Sequence, residues 1–324
     1  MAVIRMIDAV RDALREEMER DANVVLMGED IGVNGGVFRA TDGLWQTFGD
    51  ERVMDTPLAE SGIVGVAIGA ALNGLRPVAE IQFVDFIYPA FNQIVSEAAR
   101  HCYRTNGEYP VPMVIRAPFG GGVHGGLYHS QSVEAFFLHV PGLKVVIPSN
   151  PYDAKGLFRR ALNTNDPVMF LEHREILNHK CAVPEDDYEI EFGRAKVVRQ
   201  GSDVTVVAIG GMVPRALVAA ETLSEEGISV EVLDPRTLVP LDKAAILESV
   251  AKTGRLVVVD LAHKTCSAAS EIAAMVAMEG FWHLQAPIQR LGTVNVHIPF
   301  SPALEPLCYP TAETIADAVR TTLE

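Results

Sequence analysis

Cysteine is scarce in this chain. Cys102, Cys181, Cys266 and Cys308 are far apart and form no C-x-x-C pair. That spacing excludes a disulfide framework and suits a reducing compartment. Positive charge is also short, since 27 lysines and arginines against 42 acids leave a formal net charge of -15. Such a balance argues against nucleic acid or an anionic membrane as the main partner, and suits a basic protein surface. Long apolar runs are missing as well. Ile63 to Leu72 is half the length that a membrane span of ~20 residues needs, and Asn73 and Arg76 end it. The first helical pattern, Ile7 to Met18, carries acids beside its bases, unlike a transit peptide. The expected location is therefore the cytoplasm of a bacterium or archaeon, with no membrane association.

Several catalytic signatures are absent too. There is no H-x-x-x-H or Cys/His cluster for zinc and no G-x-S-x-G nucleophile elbow. Gly120-Gly121-Gly122-Val123-His124-Gly125 formally satisfies G-x-G-x-x-G, but no acid closes the following strand, Leu143 to Pro148, as a dinucleotide fold requires. The better reading is a loop whose backbone bends sharply or approaches a ligand closely. His129 follows it. A histidine is more often a surface or hydrogen-bonded core residue than a catalyst, but loops at strand ends are where ligand sites gather.

What is present is α/β alternation in a chain of 324 residues, 48% hydrophobic and 21% charged, large enough for two domains. Over residues 1–180, strands at Val24 to Met27, Met113 to Ile115, Val145 to Ile147 and Val168 to Leu171 alternate with helices and glycine-rich loops. Residues 181–194 are acidic, contain Pro184 and read as a linker. Residues 195–324 restart the pattern with strands at Val204 to Ile209, Ser229 to Leu233, Arg255 to Asp260 and Ile288 to Leu291. Between and after them, the periodicity predicts helices at Val213 to Glu225, Asp242 to Ala251, Ala268 to Met278 and Ala312 to Leu323. The expected fold is α/β with two doubly wound domains.

Glu60 is the most informative single residue. It closes Asp55-Thr56-Pro57-Leu58-Ala59-Glu60 and precedes fifteen uncharged residues, Ser61 to Leu75. An acid at the mouth of an apolar segment is costly to keep ionised, which suggests proton handling. The competing reading is a first-turn acid, favoured by the helix dipole, behind Thr56 as N-cap and Pro57 at the first helical position. Both stay open on spacing alone. Glu80 to Phe91 combines aromatics with isolated polar groups, as a core stripe, a subunit interface or a shelf for a heteroaromatic ring would.

Taken together, Gly28-Glu29-Asp30, Gly35-Gly36-Val37-Phe38, Asp55 to Glu60, Glu80-Ile81-Gln82-Phe83, Tyr128-His129-Ser130-Gln131-Ser132, Pro141 to Val146 and Asp234-Pro235-Arg236-Thr237-Leu238 resemble the beta subunits of thiamine-diphosphate-dependent 2-oxo acid dehydrogenases, nearly end to end. The resemblance implies a pyrimidine-binding domain over 1–180 and a transketolase C-terminal-like domain over 195–324. It also implies a heterotetramer of two alpha and two beta subunits. No G-D-G occurs, and Asp42-Gly43 is preceded by Thr41, so Mg2+ and the diphosphate fall to the alpha subunit. Glu60 matches the family's catalytic glutamate, which hydrogen-bonds the aminopyrimidine and promotes its imino tautomer. Leu58, Gln82 and Phe86 match pyrimidine contacts, Phe86 as the stacking ring. His129 matches the residue that donates a proton during reductive acylation of the lipoyl group.

A structural K+ is implied at the backbone of Met113, Ala161, Leu162, Thr164 and Asp166. The partners implied are the alpha subunit, a 2-oxo acid, and the lipoyl and subunit-binding domains of a dihydrolipoyl acyltransferase. The motifs around Phe86 and His129 look more like branched-chain members, with pyruvate and acetoin dehydrogenases as the alternatives. A self-contained transketolase-like enzyme and a docking-only subunit are the competing hypotheses.

Overall fold

Short runs of buried, mostly aliphatic residues form the strands of both halves of the chain, in a computed structural model that describes residues 1–324. Two units emerge. Met1–Phe119 with Phe136–Phe192 make the first, and Gly120–Ala135 with Gly193–Glu324 make the second.

The first unit contains β1 (Ala2–Arg5), β2 (Val24–Gly28), β3 (Val53–Asp55), β4 (Arg76–Glu80), β5 (Val114–Phe119), β6 (Lys144–Val146), β7 (Val168–His173) and β8 (Lys180–Val183). Six of these strands pair in parallel in the order β6-β7-β5-β4-β2-β3. Every residue of β2, β5 and β7 is buried, which is why Val24 to Met27, Val114-Ile115 and Val168 to Leu171 read as continuous apolar runs instead of alternating ones. Helix Met6–Arg20 presents Met6, Val10, Ala13 and Leu14 at helical spacing to a core shared with Leu157, Phe158 and Ala161 of helix Pro151–Asn163.

One feature of this sheet breaks the apolar pattern. Arg116 of β5 is fully buried and donates to Glu80 of β4 and to both oxygens of Glu172 of β7. Three neighbouring strands are thereby tied by charge. Running into the stretch read as a linker, Lys180–Val183 pairs antiparallel with Ala2–Arg5. Tyr188 stacks on Tyr152 with ring centroids 4.6 Å apart. Gly156 permits this packing, because a Cβ there would lie 2.7 Å from both Ile190 and Tyr188.

The second unit contains β9 (Lys196–Arg199), β10 (Val204–Ala208), β11 (Val230–Asp234), a short β12 (Thr237–Val239), β13 (Leu256–His263) and β14 (Gln289–Thr293). Its sheet order is β14-β13-β10-β11-β9, parallel except for β9. Helices Met212–Glu225, Lys243–Thr253, Ala268–Glu279 and Ala312–Thr321 match the expected ones to within a few residues at their ends. Asp242 and Thr311 cap two of them by accepting from Ala245 N and Thr314 N.

Candidate functional site

Strand order in the first unit locates a crevice before any side chain is considered. From β2 the chain moves to β3 on one side, then to β4 on the other. Loops leaving the carboxyl ends of strands at such a reversal separate and leave room for a ligand. Three segments diverge here: Glu29–Asp30 after β2, Thr56–Glu60 after β3 and Ile81–Phe86 after β4. Two glycines let them approach. A Cβ on Gly28 would lie 2.8 Å from the Glu80 carbonyl oxygen, and one on Gly32 would lie 2.5 Å from Asp55 Oδ2. Gly32 N in turn donates to Asp55 Oδ1 at 2.7 Å.

Glu60 opens helix Glu60–Leu72, with Ala59 at the N-cap and no side-chain cap. This corrects the capping expectation for Thr56 and Pro57, which lie upstream of the helix. The chain stays non-helical through Ala59, and Glu60 itself takes the first helical position. The residue is 8% exposed, facing the positive end of the helix dipole. Beside it, the buried Glu29 carboxyl is held above the usual carboxylate range, first by burial, then by the charge of Glu60 and then by that of Asp30.

Gln82 Nε2 donates to the Glu29 carbonyl at 3.4 Å and to Asp30 Oδ2 at 3.2 Å. Phe86 is half-buried, packed edge-on to Phe83 at 5.7 Å, and Phe83 packs on Phe38 at 5.4 Å. The Arg174 guanidinium lies over the Phe83 ring at 5.2 Å. Leu58 points away from the fold and is 79% exposed. An apolar cavity of about 300 Å3 is lined by Met54, Pro57, Ile63 and Val66.

An aminopyrimidine requires a carboxyl group at its ring nitrogen and an aromatic face. Glu60 at its helix start and the half-buried ring of Phe86 supply groups of that kind, and the residues fit. Potassium fares differently. The Leu162 and Thr164 carbonyls each accept from Arg76 Nη1 at 3.0 Å, and the Met113 carbonyl accepts from Val168 N. A guanidinium there puts positive charge where the ion would sit, so this donor set does not fit bound potassium.

Leu58, Glu60, Gln82 and Phe86 thus belong to the first unit, whereas His129 lies in the segment that clusters with the second. His129 is half-buried and follows a 3-10 turn at Gly126–Tyr128. Gly125 is required there, since a Cβ would lie 2.6 Å from His129 Cβ. Sequence reasoning gave Glu29 no role, and the signal was slight: one acid beside another after a buried strand.

Two family models match the chain. Residues 2–180 match the transketolase pyrimidine-binding domain and 193–315 the transketolase C-terminal domain. The chain is 52% identical over 322 residues to the 2-oxoisovalerate dehydrogenase subunit beta of Bacillus subtilis (strain 168), covering 99% of this chain and 98% of that protein. It is 47% identical over 325 residues to the pyruvate dehydrogenase E1 component subunit beta of the same strain, covering all of both. Among solved structures, a split-gene transketolase described as an inactive beta4 tetramer superposes with a TM-score of 0.80 at 26% identity, over 99% of this chain and 98% of that one.

Proposed function

Because this chain belongs to the beta subunits of the thiamine-diphosphate-dependent 2-oxo acid dehydrogenases, we propose that it forms one wall of a decarboxylating site completed by an alpha subunit. Two subunits of each kind make the assembly. The alpha subunit holds Mg2+ and the diphosphate, and this chain holds the pyrimidine. The observation that carries the reading is Glu60, a buried acid at the start of an apolar helix, placed at the strand-order reversal. Leu58, exposed beside an apolar cavity, is what a site shared between subunits leaves on one partner.

When bound, the cofactor supplies the nucleophilic carbon and the electron sink for loss of carbon dioxide. Glu60 holds a proton at the pyrimidine ring nitrogen, and the Glu29 carboxyl beside it is raised by burial and by the charge of Glu60. Gln82, fixed by the Glu29 carbonyl and Asp30, borders the ring edge, and Phe86 offers a face for stacking. His129 holds the proton delivered when the lipoyl disulfide of the acyltransferase arm is opened. We assign a branched-chain 2-oxo acid as substrate, supported by 52% identity to the 2-oxoisovalerate enzyme against 47% and 46% to the pyruvate and acetoin relatives. No helix is long and apolar enough to cross a membrane, and the bacterial cytoplasm is the proposed location.

The test is co-expression with the alpha subunit and dye reduction with 3-methyl-2-oxobutanoate, pyruvate and acetoin. Glu60→Ala should cut dye reduction by at least about 100-fold, the scale of a lost acid–base group. Full activity in that variant, or turnover by this chain alone, would sink the shared-site model.

A further inference from the structure

The Gly120–Ala135 segment resembles a phosphate-binding loop in sequence, yet its backbone donors are already engaged by a carboxylate of the same unit. Gly122 N donates to Glu305 Oε1 at 2.7 Å and His124 N to Glu305 Oε2 at 2.9 Å. His124 Nδ1 also lies 2.7 Å from Oε2, and the Tyr309 hydroxyl donates to Oε1 at 3.2 Å. Glu305 is 1% exposed. Burying a carboxylate so fully is costly without several donors, and here four converge on it. The loop is shaped around this contact. Gly122 and His124 take φ of 86° and 56°, and a Cβ on Gly121 would fall 1.6 Å from the Tyr309 hydroxyl. Left-handed backbone at a non-glycine such as His124 persists only where its surroundings over-determine it.

The far end of the segment is held differently. Glu134 and Asp260 are 0% and 1% exposed, neither Glu134 oxygen nor Asp260 Oδ2 is met by a donor from the rest of the protein, and the two carboxyl groups act on each other, so that one proton held between them would satisfy both. Asp260 also accepts from Ala262 N at 3.3 Å, and the nearby backbone N–H groups of Leu261 and of Ala269, the latter in the first turn of helix Ala268–Glu279, favour its charge. Donors of that kind favour the charge on Asp260, so Glu134 is the member that keeps the proton. Between the two anchors, Gly120 N donates to the Gln131 carbonyl at 2.8 Å and closes the loop that carries His129.

We infer that the second unit serves catalysis through a two-point clamp, Glu305 at one end and the Glu134–Asp260 pair at the other, which sets the position of His129. The three acids are positioning residues. The inference rests on the role proposed above for His129, and the test separates the two.

Glu305→Ala, Glu134→Ala, Glu134→Gln and His129→Ala are assembled with the alpha subunit. Deuterium exchange is read at residues 122–131, together with the ratio of lipoyl-dependent to dye-dependent turnover. Glu305→Ala and Glu134→Ala should speed exchange roughly tenfold or more, as loss of a charge-assisted hydrogen bond allows. They should also lower the turnover ratio towards that of His129→Ala. Glu134→Gln keeps a donor to Asp260, and should exchange no faster than the parent and keep the parent's turnover ratio. Unchanged exchange in both alanine variants overturns the clamp, as does Glu134→Gln behaving like Glu134→Ala. Faster exchange with an unchanged ratio, in His129→Ala as well, overturns the link to His129 and leaves the clamp standing. Should Glu305→Ala fail to assemble, Glu305→Gln carries the same comparison.

Discussion

Replacing Glu134 by glutamine should make the protein more stable as pH rises, with a dependence fixed by the buried pair. Burial, then the charge of Asp260, pushes the Glu134 carboxyl well above its ordinary range, and burial also raises Asp260. A carboxyl raised in the folded state keeps its proton where the unfolded chain releases it. Its stabilising contribution is therefore complete below the unfolded value of about 4.3 and is lost as pH climbs towards the folded value. Each pH unit in that window costs up to about 1.4 kcal/mol per proton retained. Glutamine preserves the shape and the donor to Asp260 but cannot ionise. The stability difference between variant and parent should thus widen with pH at up to that slope and then level off. Thermal unfolding by circular dichroism at pH 5, 6, 7 and 8 measures it, and a gain of ~1 kcal/mol corresponds to a few degrees for a domain of this size. Parallel curves for parent and variant would refute proton sharing. A glutamine variant that loses stability equally at every pH would show that the carboxyl group makes a different bond.

Arg116→Met should cost about 3–5 kcal/mol, because it leaves Glu80 and Glu172 buried without their cation. A urea titration detects this, and a loss below about 1 kcal/mol would mean that the two acids find other compensation. Exchange of potassium for sodium at constant ionic strength should leave the melting temperature unchanged, since Arg76 already serves the Leu162 and Thr164 carbonyls. A potassium-specific rise of several degrees would contradict that account.

The parts of this molecule that were legible in sequence are those whose cause is local. Val206 to Ala208 and Leu256 to Val259 are runs of aliphatic residues because both faces of a parallel strand are covered. Lys196–Arg199 escaped notice because an edge strand, half exposed and antiparallel, has no such run. Glu60 stood out by isolation, as one acid before fifteen uncharged residues. The expected cap at Thr56 and Pro57 was wrong because the chain remains non-helical through Ala59. By contrast, nothing near Arg116 in sequence announces a buried cation, since its partners are 36 and 56 residues away. Glu305 is 183 residues from Gly122. A buried charge is tolerable only when its partner is in place, so its position is a property of the finished fold and not of any window of sequence. The glycine-rich loop makes the same point in reverse. Its G-x-G-x-x-G spacing records a backbone that turns its N–H groups inward, and only the tertiary structure reveals that the anion they meet is the chain's own Glu305.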